Sequence, residues 1–197
     1  MKKKLLFING HLNTGGVEKA LIDVLRNLDY ERYDVDLLLL EGLGDYAQLL
    51  PKQVHVLLRP LQNTYGPLLR CVWNCLRKRD WFSLRMRFVI LAAKLFGQEQ
   101  FTHAGKTLLG SRRYDCAVGF RQGICTLLAA YAANADRSIT WWHHGKIGAA
   151  QQAFPHQAKD CDSVAVVSDS CRVMLAREFP ELADKLVEMI RELRGDK

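Results

Sequence analysis

Apolar positions along this 197-residue chain follow two alternating rhythms. A compact run, "LLFIN" (5–9), precedes Val17, Ala20, Leu21, Val24, Leu25 and Leu28, which recur at the i, i+3, i+4, i+7 spacing. The first reads as a buried strand and the second as one face of an amphipathic helix. "YDVDLLLLE" (33–41) is a second strand, and its consecutive leucines suit burial on both faces. A short helix over "GDYAQLL" and a third strand, "VHVLL" (54–58), come next. Residues 67–110 lack the strand–helix beat and predict two or three consecutive helices inserted after the third strand. The beat then resumes with strand "YDCAVGF" (114–120), helix "GICTLLAAYAA" (123–133), strand "SITWWHH" (138–144) and a helix around 149–158. Strand "SVAVVS" (163–168) and helix "SCRVMLAREF" (170–179) follow, and residues 183–197 carry the spacing of a charged helical tail.

Alternating strands and helices predict an α/β fold, a Rossmann-like doubly wound parallel sheet filling one domain over residues 1–182. With strand order 3-2-1-4-5-6, the switch point falls between "LLFIN" and "YDCAVGF". Ligands of such sheets bind outside the carboxyl ends of the strands at that point. Three stretches converge there: the Gly15–Gly16 turn, the Arg121–Gln122–Gly123 turn and the end of "TWWHHGK" (140–146).

Composition narrows the setting. At 49% hydrophobic the chain can bury a full core. "MKKKLLFING" has the charge of a signal peptide, but its apolar stretch stops at Ile8, short of the roughly 7–15 residues such a segment needs. No apolar run approaches the ~20 residues of a membrane span, so a cytoplasmic protein is expected. The six cysteines include no CxxC pair; Cys71 and Cys75 share a helix face but read as packed thiols, and no metal is expected. Charge is uneven: of a net +7, residues 59–113 hold eleven Lys or Arg against two Asp or Glu, which points to an anionic partner surface.

Four features carry candidate chemistry. Gly15 and Gly16 open a helix, where backbone N–H groups and the helix dipole favour an anion; a plain tight turn is the alternative, and neither a dinucleotide fingerprint nor a P-loop is present. His143 and His144 stand at a strand's carboxyl end, placed to hydrogen-bond a hydroxyl or move a proton, and adjacent strand residues point to opposite faces, which disfavours a zinc pair. Ser168 reads as a helix N-cap that still faces the crevice. Finally, Arg70, Trp73, Arg77, Lys78, Arg79, Trp81, Arg85 and Arg87, with Phe82, Phe88 and Phe96, interleave charge and aromatics in a manner that suits an anionic membrane surface. A helical cover with a solvated basic face is the alternative. Without an RNP, KH or helix-turn-helix signature, nucleic acid is not an expected partner.

Taken in order, "GHLNTGGVEKALIDVLRNLDYERYDVDLLLLE", "YDCAVGFRQG", "ITWWHHGK" and "SVAVVSDSCRVMLAREFPEL" resemble the N-terminal domain of family 4 glycosyltransferases, the large retaining GT-B group. The resemblance extends to about residue 182. It implies a transferase that moves a sugar from a nucleotide-sugar co-substrate to a polysaccharide, glycolipid or lipid-linked acceptor, with no cofactor. By position it implies that His143 contacts the donor sugar, with His144 as second choice. It further implies that Gly15 and Gly16 lie near donor phosphate and acceptor, that Glu18 and Lys19 fix the turn, and that the basic helices dock on the inner face of the cell membrane. Arg121, Gln122, Gly123 and Ser168 complete the expected crevice. Members of the family carry a second, donor-binding domain with the cations for the diphosphate; that domain has no counterpart in these residues, so the chain alone is expected to be inactive. A non-catalytic membrane-associated partner of a separate donor-binding chain is the alternative.

Overall fold

The computed structural model describes residues 1–61 and 67–188. Along them run β1 (Lys3–Asn9), α1 (Gly16–Arg26), β2 (Tyr33–Leu39), β3 (Val54–Leu58), α2 (Leu68–Lys78), α3 (Trp81–Phe96), α4 (Gly105–Leu109) and β4 (Cys116–Gly119). Then come α5 (Ile124–Leu127), β5 (Ser138–Trp142), α6 (Phe154–Ala158), β6 (Ser163–Val166), α7 (Asp169–Glu178) and β7 (Leu186–Glu188). The strands form one parallel sheet in the order β3-β2-β1-β4-β5-β6-β7. The fold is therefore the Rossmann-like doubly wound α/β class, with the expected order extended by one strand.

Two apolar layers explain why the sheet reads as near-continuous hydrophobic runs. Phe7, Leu37, Leu39, Val118, Phe120 and Trp141 pack with Leu21, Ile22 and Leu25 of α1 on one face. Leu6, Ile8, Leu38, Ala117 and their neighbours pack with Met86, Val89, Phe101, Leu108 and Leu128. Further along, Trp142, Val164 and Val166 meet Phe154 of α6 and Leu175 of α7. A parallel strand covered on both faces cannot alternate polar with apolar residues.

Inserted between β3 and β4, α2 and α3 form a helical pair. Arg79 takes the left-handed conformation (φ +52°) and ends α2 in a Schellman arrangement: the Asp80 N–H reaches the Cys75 carbonyl at 2.8 Å and the Arg79 N–H reaches Leu76 at 3.2 Å. The Asp80 carboxylate then accepts from the Ser83 N–H at 3.0 Å and caps α3.

Several boundaries differ from expectation. The tail predicted as helix from residue 183 is instead a 3-10 turn (Pro180–Lys185) and then β7, which pairs with β6; its remainder lies outside the described residues. Pairing with an exposed sheet edge outweighs the weak helical periodicity of so short a segment. The helix expected over 123–133 splits into α5 and a π-helical turn at Leu128–Ala132, and that over 149–158 into a 3-10 turn (Ala149–Gln151) and α6. Strand β5 stops at Trp142, so both histidines lie just beyond it.

Candidate functional site

At the carboxyl end of the sheet, β1 and β2 stay laced together past their last paired residues. The Glu41 N–H donates to the Gly10 carbonyl at 2.7 Å, and the Leu12 N–H donates to Leu43 at 3.1 Å. Gly44, with φ +73°, closes this lacing; a Cβ there would sit 2.3 Å from the Asn13 nitrogen, so only glycine fits. The lacing brings Glu41 over Gly10, where Arg121 also arrives from the β4–α5 turn: a Cβ on Gly10 would stand 3.0 Å from both side chains.

His11 occupies the centre of this group. Its Nε2 lies 3.1 Å from Arg121 Nη1 and 3.7 Å from Glu41 Oε2; its Nδ1 lies 3.7 Å from Glu18 Oε1 and 3.2 Å from the Asn13 N–H. A neutral imidazole accepts at one nitrogen only, so it satisfies either Arg121 or Asn13 but not both. Neither His11 nor Glu41 stood out in the sequence, for each is a loop residue at the margin of a quoted stretch with no spacing of its own. Their one sequence signal is position, immediately after strands predicted to end at the switch point.

His143 closes the wall from β5. Its Nε2–H donates to the Phe120 carbonyl at 2.8 Å, which places the lone pair on Nδ1. The ring stacks on Trp141 (centroids 5.7 Å apart, planes at 5°) and leans on Phe120 at 4.7 Å. Burial pulls its pKa down to about 4, with His144 adding to the shift while the Phe120 carbonyl and the Glu18 carboxylate oppose it. At neutral pH His143 is uncharged. His144 is exposed and sits edge-on to Trp142, so the two histidines attend opposite aromatic layers.

The remaining predicted residues divide. Glu18 is buried in the first turn of α1, with its carboxylate folded back over Gly15: a Cβ on Gly15 would stand 2.3 Å from Oε2. The helix start expected to welcome an anion thus carries its own carboxylate. Glu18, Glu41 and Arg121 together carry a formal charge of −1. Gly16 has open space around it. Gly123 takes φ +79°, and its N–H is already bound to Gln157 Oε1 at 3.1 Å. Gln122 is half-buried with its amide nitrogen unpartnered, as are Asn9 Oδ1 and Trp141 Nε1, all three near the carboxyl ends of β1, β4 and β5. Ser168 caps α7 by accepting from the Cys171 N–H at 3.3 Å, beside β6 and one strand beyond His143.

On the helical insertion, Leu69, Trp73 and Leu76 form an outward stripe on α2, as do Trp81, Phe88 and Leu95 on α3; Trp73 is 67% exposed and Trp81 64%. Arg70, Arg77, Lys78, Arg79 and Arg85 are exposed alongside them. Arg87 is half-buried and departs from the expected surface set, with buried Met86 and Val89 beside it on α3. Cys71 and Cys75 are buried and form no disulfide; burial, with Cys71 beside it, pushes Cys75 up to about 11. Among the described residues no group of three or more His, Cys, Asp or Glu is placed to hold a metal ion, and no helix is long and apolar enough to cross a membrane. Searches against protein-family models and against curated proteins find no match to this chain.

Proposed function

We propose that this chain supplies the acceptor-binding wall of a retaining, metal-independent glycosyltransferase that moves a sugar from a nucleotide-sugar donor to a polysaccharide or glycolipid acceptor. The observation that carries the reading is His143: a neutral imidazole held by the Phe120 carbonyl, sharing the switch-point crevice with Glu18. Its Nδ1 accepts a hydrogen bond from a sugar hydroxyl without adding charge. Glu18 and Glu41 accept from further hydroxyls, and Arg121 donates.

A departing nucleotide diphosphate needs preorganised cations. This wall, at −1, offers few, so the reading assigns the diphosphate to a separate donor-binding domain or partner. The stripes on α2 and α3 with their flanking arginines then hold the acceptor side against an anionic lipid surface.

Incubating the 197-residue protein with UDP-glucose and a panel of oligosaccharide acceptors tests the claim. Oligosaccharide binding that Glu18→Ala weakens, without sugar transfer, is expected, while His143→Ala weakens any contact with the UDP-glucose sugar. Transfer by this chain alone overturns the half-site reading, and tight binding of free UDP replaces it with that of a nucleotide-binding protein.

The exposed apolar and basic helices favour a second reading, a non-catalytic membrane-associated module. Salt-sensitive flotation with phosphatidylglycerol vesicles, but no saccharide binding, selects it. Absence of flotation removes the membrane contact from both readings.

A further inference from the structure

At the opposite end of the sheet from His143, a cavity of about 370 Å³ opens among the amino-terminal halves of β1, β2 and β3 and the segment leading into β4. Its volume falls within the about 300–1,000 Å³ typical of small-molecule pockets. The cavity is organised around one half-buried carboxylate. Asp36 sits in β2 directly opposite His55 of β3, and His55 Nδ1 lies 3.0 Å from its Oδ1. The other oxygen accepts from Arg112 at 3.0 Å and from the Tyr114 hydroxyl at 2.6 Å. With three donors on it, Asp36 has little acceptor capacity left for a ligand.

The donors retain more. Arg112 uses one of its guanidinium N–H groups on Asp36. Arg113 reaches outward to Asp136 at 2.7 Å, in a pair that is more than half exposed on both sides. Lys4 lines the cavity and forms no ion pair among the described residues. Against Asp34 and Asp36, these three cations leave the lining at +1 with His55 neutral. Because Asp36 holds the Nδ1–H of His55, the imidazole presents Nε2 outward from a ring that is 59% exposed. The cavity thus combines guanidinium and ammonium donors with an oriented hydrogen-bond acceptor beside them.

We propose that this cavity is a second ligand site, for a small phosphorylated molecule whose phosphate is held by Lys4, Arg112 and Arg113 and whose hydroxyl donates to His55. Planar guanidinium forks match phosphate oxygens two at a time, and an ammonium adds a point charge. Asn9 lies five steps along β1 from Lys4, about 17 Å at ~3.3 Å per step, so the site is distinct from the crevice and does not depend on its function.

NMR titration of the isotope-labelled full chain with inorganic phosphate, glucose 1-phosphate and acetate tests the assignment. Saturable shifts at Arg113, Tyr114 and the His55 ring are expected with both phosphates. The sugar phosphate binds more tightly if His55 takes the hydroxyl, and equal affinity places free phosphate as the ligand. Replacing Lys4 and Arg113 by Gln leaves the Asp36 network intact and weakens binding by roughly fivefold or more. His143→Ala leaves it unchanged, so failure here and failure of the glycosyltransferase reading are separable. Shifts that never saturate, that survive the double substitution, or that acetate reproduces at the same concentration overturn the proposal.

Discussion

Removing the titration of His143 is expected to flatten part of the protein's acid response. The ring's pKa falls from 6.5 to about 4 on folding, chiefly through burial beside Trp141 and Phe120. Between those values the unfolded chain binds a proton that the folded chain refuses, so stability drops as pH falls from about 6.5 toward 4 and is flat above that window. At about pH 5 the unfolded imidazole is almost fully protonated and the folded one almost fully neutral, a penalty of about 2 kcal/mol. Screening at the partly exposed ring makes this an upper figure. His143→Gln keeps an amide N–H in reach of the Phe120 carbonyl while deleting the titration. Urea unfolding of both proteins near neutrality and near pH 5 measures the effect in the double difference. The wild type should lose up to about 2 kcal/mol more than the variant. Equal losses would refute the claim that His143 is held neutral by its surroundings.

Other substitutions separate packing from chemistry. In Gly119→Ala the new Cβ would meet the Cys125 carbonyl at 2.8 Å and Thr126 Cα at 2.9 Å, backbone that cannot swing aside, so a cost of about 1–3 kcal/mol and a lowered Tm are expected. In Gly15→Ala the new Cβ would meet the carboxylate end of the buried Glu18 side chain at 2.3 Å, which must swing aside, so a cost of about 0.5–1.5 kcal/mol and weaker ligand binding in the crevice are expected. Trp142→Ala empties the fully buried site between Phe154 and Phe179 and should cost about 3–5 kcal/mol in urea unfolding. Tyr114→Phe removes the 2.6 Å hydrogen bond to Asp36 and should cost about 1–2 kcal/mol with an unchanged circular dichroism spectrum.

The sheet order was legible because strands such as "LLFIN" and "DLLLL" are apolar on both faces and the helices between them keep a clean 3.6-residue period. Strand β7 was hidden, since Leu186 and Val187 also fit the helical spacing of the tail and only pairing with β6 decides between the two. The π-helical turn at Leu128–Ala132 leaves no mark in "GICTLLAAYAA". In the crevice, His143 and Glu18 were found because each lies next to a motif. His11 and Glu41 were missed because their meeting depends on β1 and β2 lying side by side, a tertiary fact that no local spacing encodes. For the same reason the Asp36 network, which joins β2, β3 and the approach to β4, was invisible in the chain.

The centre of the sheet joins residues far apart in sequence: the Lys4 N–H binds Asp115, 111 residues later, where β1 meets β4. The entropy of closing such a loop grows only logarithmically, by roughly 0.6 kcal/mol per doubling of its length. Carrying the α2–α3 pair inside that loop therefore adds little closure entropy, and the burial of Met86 and Val89 against the sheet offsets it. Its effect falls on kinetics, since β1, β2 and β3 can associate early while their junction to β4 waits for the long excursion to return. A chain built this way can lengthen or shorten the exposed turns of that excursion at small entropic cost, while the residues that α3 lays on the sheet, Met86 and Val89 among them, stay fixed by the core.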